Sequence, residues 1–226
     1  MKLVIISDVH SNSSYLSIIQ KKIEDEKADM IFFLGDAIGY YDNPNYILDW
    51  LRNINAQCIK GNHEKYFLDE LNYNKENEKI YRVEENKINI TNVNRNFVTT
   101  WSDMLDLTID KKRFLFVHGD IKSSENHVYD ITSIDKELFS RYDYYMFGHT
   151  HIPFVQYHNG CCIVNPGSIG QPRDYTQQPS YVVLDTNSLD ISIKKIIVDV
   201  EGFCNQISLK SYNEKLINIL KRENNE

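Results

Sequence analysis

The stretch Leu3-Val4-Ile5-Ile6-Ser7-Asp8-Val9-His10 decides how this chain folds. Four apolar residues in unbroken succession suit a strand buried on both faces, and the run stops abruptly at a serine, a carboxylate and an imidazole. Met30 to Leu34 repeats that grammar and ends in Gly35-Asp36. Between the two runs Leu16, Ile19 and Ile23 recur at three- and four-residue spacing behind a Ser/Asn-rich start, so an amphipathic helix capped near Asn12 to Ser14 is expected. Strand, helix and strand in this order predict a βαβ unit with its two strands parallel.

Working outward, a second helix is expected over Asn45 to Asn53, then a strand at Gln57 to Lys60 that stops at Gly61-Asn62-His63. Residues 72 to 98 are rich in Asn, Lys and Glu with thin apolar content. They read as a surface insertion or cap reaching to about residue 105, because Phe97, Val98, Trp101, Met104 and Leu105 resume helical spacing. Phe114 to Val117 predicts a strand ending in His118-Gly119-Asp120, and residues 134 to 142 predict a helix. Tyr144 to Phe147 predicts a strand ending in Gly148-His149-Thr150-His151.

Beyond that point the pattern turns antiparallel. Pro153 to Tyr157 and Cys161 to Val164 flank Asn159-Gly160, a hairpin signal, and Tyr181 to Leu184 with Ile191 to Val198 predict a second pair. Leu209, Tyr212, Leu216 and Leu220 predict a C-terminal helix fraying into Glu223 to Glu226. An α/β half followed by a mostly β half implies two sheets meeting face to face under flanking helices, here in one domain of 226 residues.

Composition limits the function. The chain is 42% hydrophobic and 25% charged, enough to bury a core, and its formal charge of -7 disfavours a general nucleic-acid or anionic-membrane binder. No run approaches membrane-spanning length and the N-terminus does not resemble a signal peptide, so a cytoplasmic protein is expected. Cys58, Cys161, Cys162 and Cys204 form no Cys-x-x-Cys pair and read as reduced, buried small residues.

The chemistry lies in where the histidines fall. Of 7, five (His10, His63, His118, His149 and His151) sit just past the end of an expected strand, beside Asp8, Asp36 and Asn62. The carboxyl ends of strands in an α/β sheet form one rim where ligands bind. Packed together dry, two carboxylates, an amide oxygen and several imidazoles leave polar groups unpaired, whereas one or two divalent cations satisfy them all. Donors without thiolate suit manganese, iron, zinc, cobalt or nickel, and a central carboxylate can bridge two ions. Taken singly, each motif has a plainer reading as a turn or a helix cap; the joint pattern in strand order is what carries weight.

Asp8-Val9-His10, Gly35-Asp36, Gly61-Asn62-His63-Glu64, Val117-His118-Gly119 and Gly148-His149-Thr150-His151 resemble, in order and spacing, the signature blocks of the calcineurin-like metallophosphoesterases. Asn165 to Asp174 is similar to a segment of the small bacterial and archaeal phosphodiesterase-like members. The resemblance implies a four-layer αββα sandwich of two mixed sheets around a dinuclear centre. Carried over, Asp8, His10 and His151 would bind one metal, Asn62, His118 and His149 the other, and Asp36 both. His63 would stand over the substrate as general acid or charge stabiliser. Manganese is the first expectation for the metal, with iron, zinc, nickel, cobalt or magnesium as alternatives.

The implied activity is hydrolysis of phosphodiester or nucleotide-type phosphate bonds of a small phosphorylated substrate by a water that the two ions acidify. Alternatives are dinucleoside polyphosphate or protein phosphatase activity, both weakened by Ala37-Ile38-Gly39-Tyr40 standing where those members carry Asp-Arg-Gly, and a non-catalytic metal-binding scaffold. Arg173 is a candidate phosphate contact, and Asn12 is either a phosphate contact or a helix cap. Tyr40 and Tyr41 either flank a substrate ring or pack, and His127 and His158, off the motif positions, read as ordinary surface or hairpin residues. Phosphate-loop, nucleophile-elbow and dinucleotide fingerprints are absent from the sequence.

Overall fold

The computed structural model describes residues 1–210 and 212–221. The chain runs β1 (Lys2–Ile6), α1 (Ser13–Asp25), β2 (Met30–Phe33), α2 (Pro44–Asn53), β3 (Gln57–Cys58) and α3 (Asn62–Phe67). A short 3₁₀ turn and three helices follow, α4 (Glu78–Tyr81), α5 (Val83–Asn89) and α6 (Asn92–Thr99). Then come β4 (Leu105–Ile109), β5 (Lys112–Phe116), α7 (Lys136–Arg141), β6 (Tyr144–Met146), β7 (Phe154–His158) and β8 (Cys161–Asn165). The last elements are β9 (Ser180–Asp185), β10 (Ile191–Lys195), α8 (Val200–Leu209) and α9 (Glu214–Lys221).

The strands form two mixed 5-stranded sheets, ordered β10-β9-β1-β2-β3 and β4-β5-β6-β8-β7. β1 and β2 pair in parallel, Leu3 against Met30 through Ile6 against Phe33, as the βαβ reading expects. β9 runs antiparallel along the other edge of β1, so the late antiparallel pair completes the first sheet. Side-chain alternation then builds the layers. Leu3 and Ile5 meet Phe116, Met146 and Val164 between the sheets, while Val4 and Ile6 turn to Leu16 and Ile19 of α1 and Leu48 of α2. On the far side Leu115 and Tyr145 pack under Leu138 and Phe139 of α7. Helix, sheet, sheet and helix are thus stacked in that order.

Local signals hold where their physical cause is local. Asn12 caps α1, its side chain accepting from the Tyr15 amide. Asn159 and Gly160 both take left-handed φ, 50° and 84°, the pair of values a two-residue hairpin turn requires.

Three expectations need correction. β3 stops at Cys58, because Ile59 bridges to Ser102 and the Lys60 amide also donates to the Ser102 carbonyl. The helical spacing from Phe97 to Leu105 is broken at Thr99: Trp101 packs on Phe33 beyond the end of α6, and Leu105 opens β4, a strand the periodicity concealed. The C-terminal helix is two helices. Asp199 caps α8, Leu209 at its end is exposed, and α9 starts afresh at Glu214. The expected fraying at Glu223 to Glu226 lies outside the described residues.

The 72–105 stretch is more deeply engaged than its thin apolar content implies. Val83 and Val98 are fully buried and join the core beside Leu48 and Leu51. Among the described residues no helix is long and apolar enough to cross a membrane.

Phe32 of the first sheet stacks on Phe116 of the second with ring centroids 4.2 Å apart, both fully buried. Phe32→Ala should therefore cost about 3–5 kcal/mol of stability. Urea unfolding should show a lower midpoint with an unchanged m-value.

Candidate active site

Every residue the sequence singled out as a ligand lies past the carboxyl end of a strand. Asp8 and His10 follow β1, Asp36 follows β2, Asn62 and His63 open α3 after β3, His118 follows β5, and His149 and His151 follow β6. Asp8, His10, Asp36, His149 and His151 all take left-handed backbone, with φ of 56°, 51°, 61°, 63° and 60°. Such conformations cost of order 1–3 kcal/mol each and persist only where the surroundings fix them. Here neighbouring loops do so: the His10 amide donates to the Asp36 carbonyl at 2.9 Å, Ser11 to Ala37 at 2.7 Å, and Gly148 to His118 at 2.8 Å.

Glu64 clamps the same loops. Its carboxylate accepts from the amides of Asp36 at 2.7 Å, Ala37 at 2.8 Å and Gly61 at 2.8 Å. Burial and the neighbouring Asp36 carboxylate push its pKa up to about 7, against the pull of those amides. In the sequence Glu64 stands inside a motif with no role of its own, and a Glu at the third position of a short helix is the signal that marks it.

The imidazoles are fixed by their second nitrogens. Nδ1 of His10 donates to the Ile38 carbonyl at 3.1 Å, that of His118 to Leu34 at 2.7 Å, and that of His151 to Gln171 at 2.7 Å. Each carbonyl accepts the Nδ1 proton, which turns Nε2 toward the centre. In His149 the pattern reverses: Nε2 donates to the Glu125 carbonyl at 3.1 Å, so Nδ1 is the open nitrogen.

What these atoms face is one another. Nε2 of His10 lies 3.2 Å from Nε2 of His151, which lies 3.3 Å from Asp8 Oδ1. Nε2 of His118 lies 3.0 Å from Asn62 Oδ1 and 3.3 Å from Asp36 Oδ2, and the same Asp36 oxygen is 3.6 Å from His10 Nε2. Acceptors at these separations repel unless a proton or a cation lies among them. Asp8 Oδ1 is buried with no hydrogen-bond partner among the described residues. The atoms gather as Asp8, His10 and His151, as Asp36, His118 and His149, and as His10, Asp36 and His63. This donor set fits divalent cations.

Charge follows the same division. Burial alone would raise Asp8, but the imidazoles of His151 and His118 outweigh it and hold its pKa at about 2; Asp36 is held low in the same way. Burial drives His149 down to about 2 and His10 well below its ordinary value, and burial with the Arg173 charge lowers His151. His118 is the exception. Burial pulls it down, yet Asp36, Asp8 and the Leu34 carbonyl together raise it to about 9.

His63 stands beside this centre without a fixed ring partner. Its amide donates to Asp36 Oδ1 at 2.9 Å, its Nδ1 is buried and unpartnered among the described residues, and Tyr40 and Tyr81 each lie 5.0 Å from its ring centroid. Gly39, at φ +89°, is required here, since a Cβ would fall 2.1 Å from His63 Nδ1.

A cavity of about 320 Å³ opens over the cluster, lined by Asp36, Asn62, His63, His149 and His151 on its floor. Arg173 lines it too, its Nη2 donating to Gln171 Oε1 at 2.7 Å and contacting the Tyr40 hydroxyl at 3.4 Å. Asn12 does not line it: its amide oxygen caps α1 and its nitrogen donates to the Gly170 carbonyl at 2.7 Å.

Tyr40 belongs to the cavity wall, while Tyr41 packs on Phe203. His127, expected as an ordinary surface residue, is a wall residue with its ring 4.0 Å from that of His149. Ile80 and Tyr81 from α4 and Lys215, Asn218 and Ile219 from α9 complete the wall. No local motif marks these residues, since only the tertiary fold brings α4 and α9 to the strand ends. His158 sits in the hairpin against Phe139.

The model of the calcineurin-like phosphoesterase superfamily domain matches residues 1–189. An uncharacterised protein of Methanocaldococcus jannaschii is 30% identical over 216 residues, 88% of each chain. A metallophosphoesterase from Sphaerobacter thermophilus superposes with a TM-score of 0.77 at 20% identity, over 98% of this chain and 99% of that one. A hypothetical protein from Pyrococcus horikoshii gives a TM-score of 0.81 at 17% identity, over 97% of each.

Two outcomes follow from the geometry. With its pKa at about 9, His118 is protonated at neutral pH in the metal-free protein, and ligation must expel that proton. Apparent metal affinity should therefore rise about tenfold per pH unit up to about 9 and then level, and calorimetry in buffers of different ionisation enthalpy should register the released proton. Gly39→Ala should displace His63 and reduce turnover while elemental analysis shows undiminished metal.

Proposed function

The chain belongs to the calcineurin-like phosphoesterase superfamily, and on that footing we propose that it is a metal-dependent phosphoesterase acting on phosphodiester or nucleotide-type phosphate bonds of small molecules. The observation that carries this reading is the single Asp36 oxygen facing His10 on one side and His118 on the other, where two acceptor clusters meet. Asp8, His10 and His151 are assigned to one ion, Asn62, His118 and His149 to a second, and Asp36 to both. Bound divalent ions would supply Lewis-acid charge for the phosphate oxygens and lower the pKa of water. Nitrogen and oxygen donors without thiolate admit manganese, iron, zinc, nickel or cobalt, and the family resemblance puts manganese first, with magnesium a further alternative.

The residues divide the remaining work. Arg173 offers a guanidinium to the phosphate from a position already braced by Gln171. His63 reaches into the cavity from the start of α3 and delivers a proton, or a hydrogen bond, to the departing oxygen. Overall, water adds its oxygen to phosphorus, the bond from phosphorus to the leaving oxygen breaks, and that oxygen takes up a proton. Burial holds the free His63 imidazole at about 4, so proton delivery at neutral pH calls on the negative charge of bound phosphate to raise it. A cavity of about 320 Å³ walled by α4 and α9 suits a small-molecule substrate better than a folded phosphoprotein.

His63→Ala should lose about 10²–10⁴ in rate on an alkyl-leaving-group phosphodiester and far less on bis(p-nitrophenyl) phosphate, whose leaving group needs no proton. Equal losses on the two substrates would leave His63 as a charge stabiliser. Asp36→Asn keeps a residue that tolerates left-handed backbone and should bind neither ion after dialysis. Elemental analysis showing undiminished metal would remove Asp36 from its shared position.

A further inference from the structure

Lys215 enters the cavity by simple helix geometry. On α9, Leu216 and Leu220 are buried in the cluster formed with Tyr15, Phe203 and Cys204. Lys215, Asn218 and Ile219, at the matching three- and four-residue spacing, line the cavity. The packed face thus fixes which residues reach the site. All of α9 also lies beyond residue 189, where the family match ends.

The charge inventory of the cavity is unbalanced. Among the described residues Arg173 and Lys215 line it, and Asp36 is the one carboxylate there. Asp36 is already engaged by the His63 amide and by the His10 and His118 nitrogens. Lys215 makes no ion pair among the described residues, whereas Lys210 and Lys221 to either side pair with Asp42 and Glu201. Arg173 Nε is buried without a hydrogen-bond partner among the described residues. Ile80, Tyr81 and Ile219 supply apolar wall alongside these cations. In a chain of net charge -7, two cations without an ion-pair partner among the described residues in one cavity are a matched receptor for anions.

Resting on the phosphoesterase reading above, we propose that Lys215 forms a second anion subsite which selects small organic substrates carrying a further phosphate beyond the one hydrolysed. Arg173 serves the scissile phosphate, Lys215 the other, and the apolar wall between α4 and α9 takes the organic body that joins them.

The test compares two chromogenic esters with the same leaving group, thymidine 5′-(p-nitrophenyl phosphate) and its 3′-phosphorylated counterpart, on the metal-loaded full chain. Wild type should prefer the 3′-phosphorylated ester by roughly tenfold or more in kcat/KM, the worth of one charge-assisted contact. Lys215→Met should abolish the preference through KM rather than kcat, and Lys215→Arg should retain it. Equal use of the two esters by wild type, or a preference that survives Lys215→Met, would overturn the subsite and leave the phosphoesterase reading standing. Hydrolysis of neither ester would overturn both.

Discussion

Two imidazole nitrogens that have each committed their ring proton elsewhere cannot rest 3.2 Å apart without something positive between them. That is the situation of His10 and His151, and it recurs where His118 meets Asn62 and Asp36. A proton, as on His118 in the metal-free protein, or a bound cation meets that need. Backbone carbonyls of Ile38, Leu34 and Gln171 accept the Nδ1 protons, and the loops that carry the candidate ligands are tied to each other through the backbone. An apolar sandwich several side chains thick supplies the rigidity that makes such crowding tolerable.

Much of this was legible in the sequence because it depends on local rules. Unbroken apolar runs ending in Ser7-Asp8 and Gly35-Asp36 are buried strands with candidate ligands at their tips, and the Asn159-Gly160 turn and the Asn12 cap follow from single residues. What stayed hidden depends on distant partners. The alternating Leu105-Asp106-Leu107 strand was obscured by the helical spacing before it, and only its pairing with β5 defines it. The helix over Val200 to Leu209 differs, since Val200, Phe203, Cys204 and Ile207 do recur at three- and four-residue spacing, and Phe203 and Ile207 pack with Tyr15 and Tyr41.

The same distinction holds within the site. The ligand candidates were readable because chemistry demands particular residue types at strand ends. Glu64, His127 and Tyr81 were not, because a clamp or a wall can be built from many side chains and is defined only by what it touches. Asn12 shows the converse: a polar residue near the motif turned out to spend both of its polar ends on the scaffold.

The left-handed backbone beneath five of the candidate ligands reaches beyond chemistry. At Asp8, His10, Asp36, His149 and His151 the main chain itself discriminates among replacements, admitting asparagine or glycine with ease and resisting any branched side chain. Mutational drift at this rim is therefore hindered twice, once through the lost donor atom and once through a bent path that few other amino acids will follow.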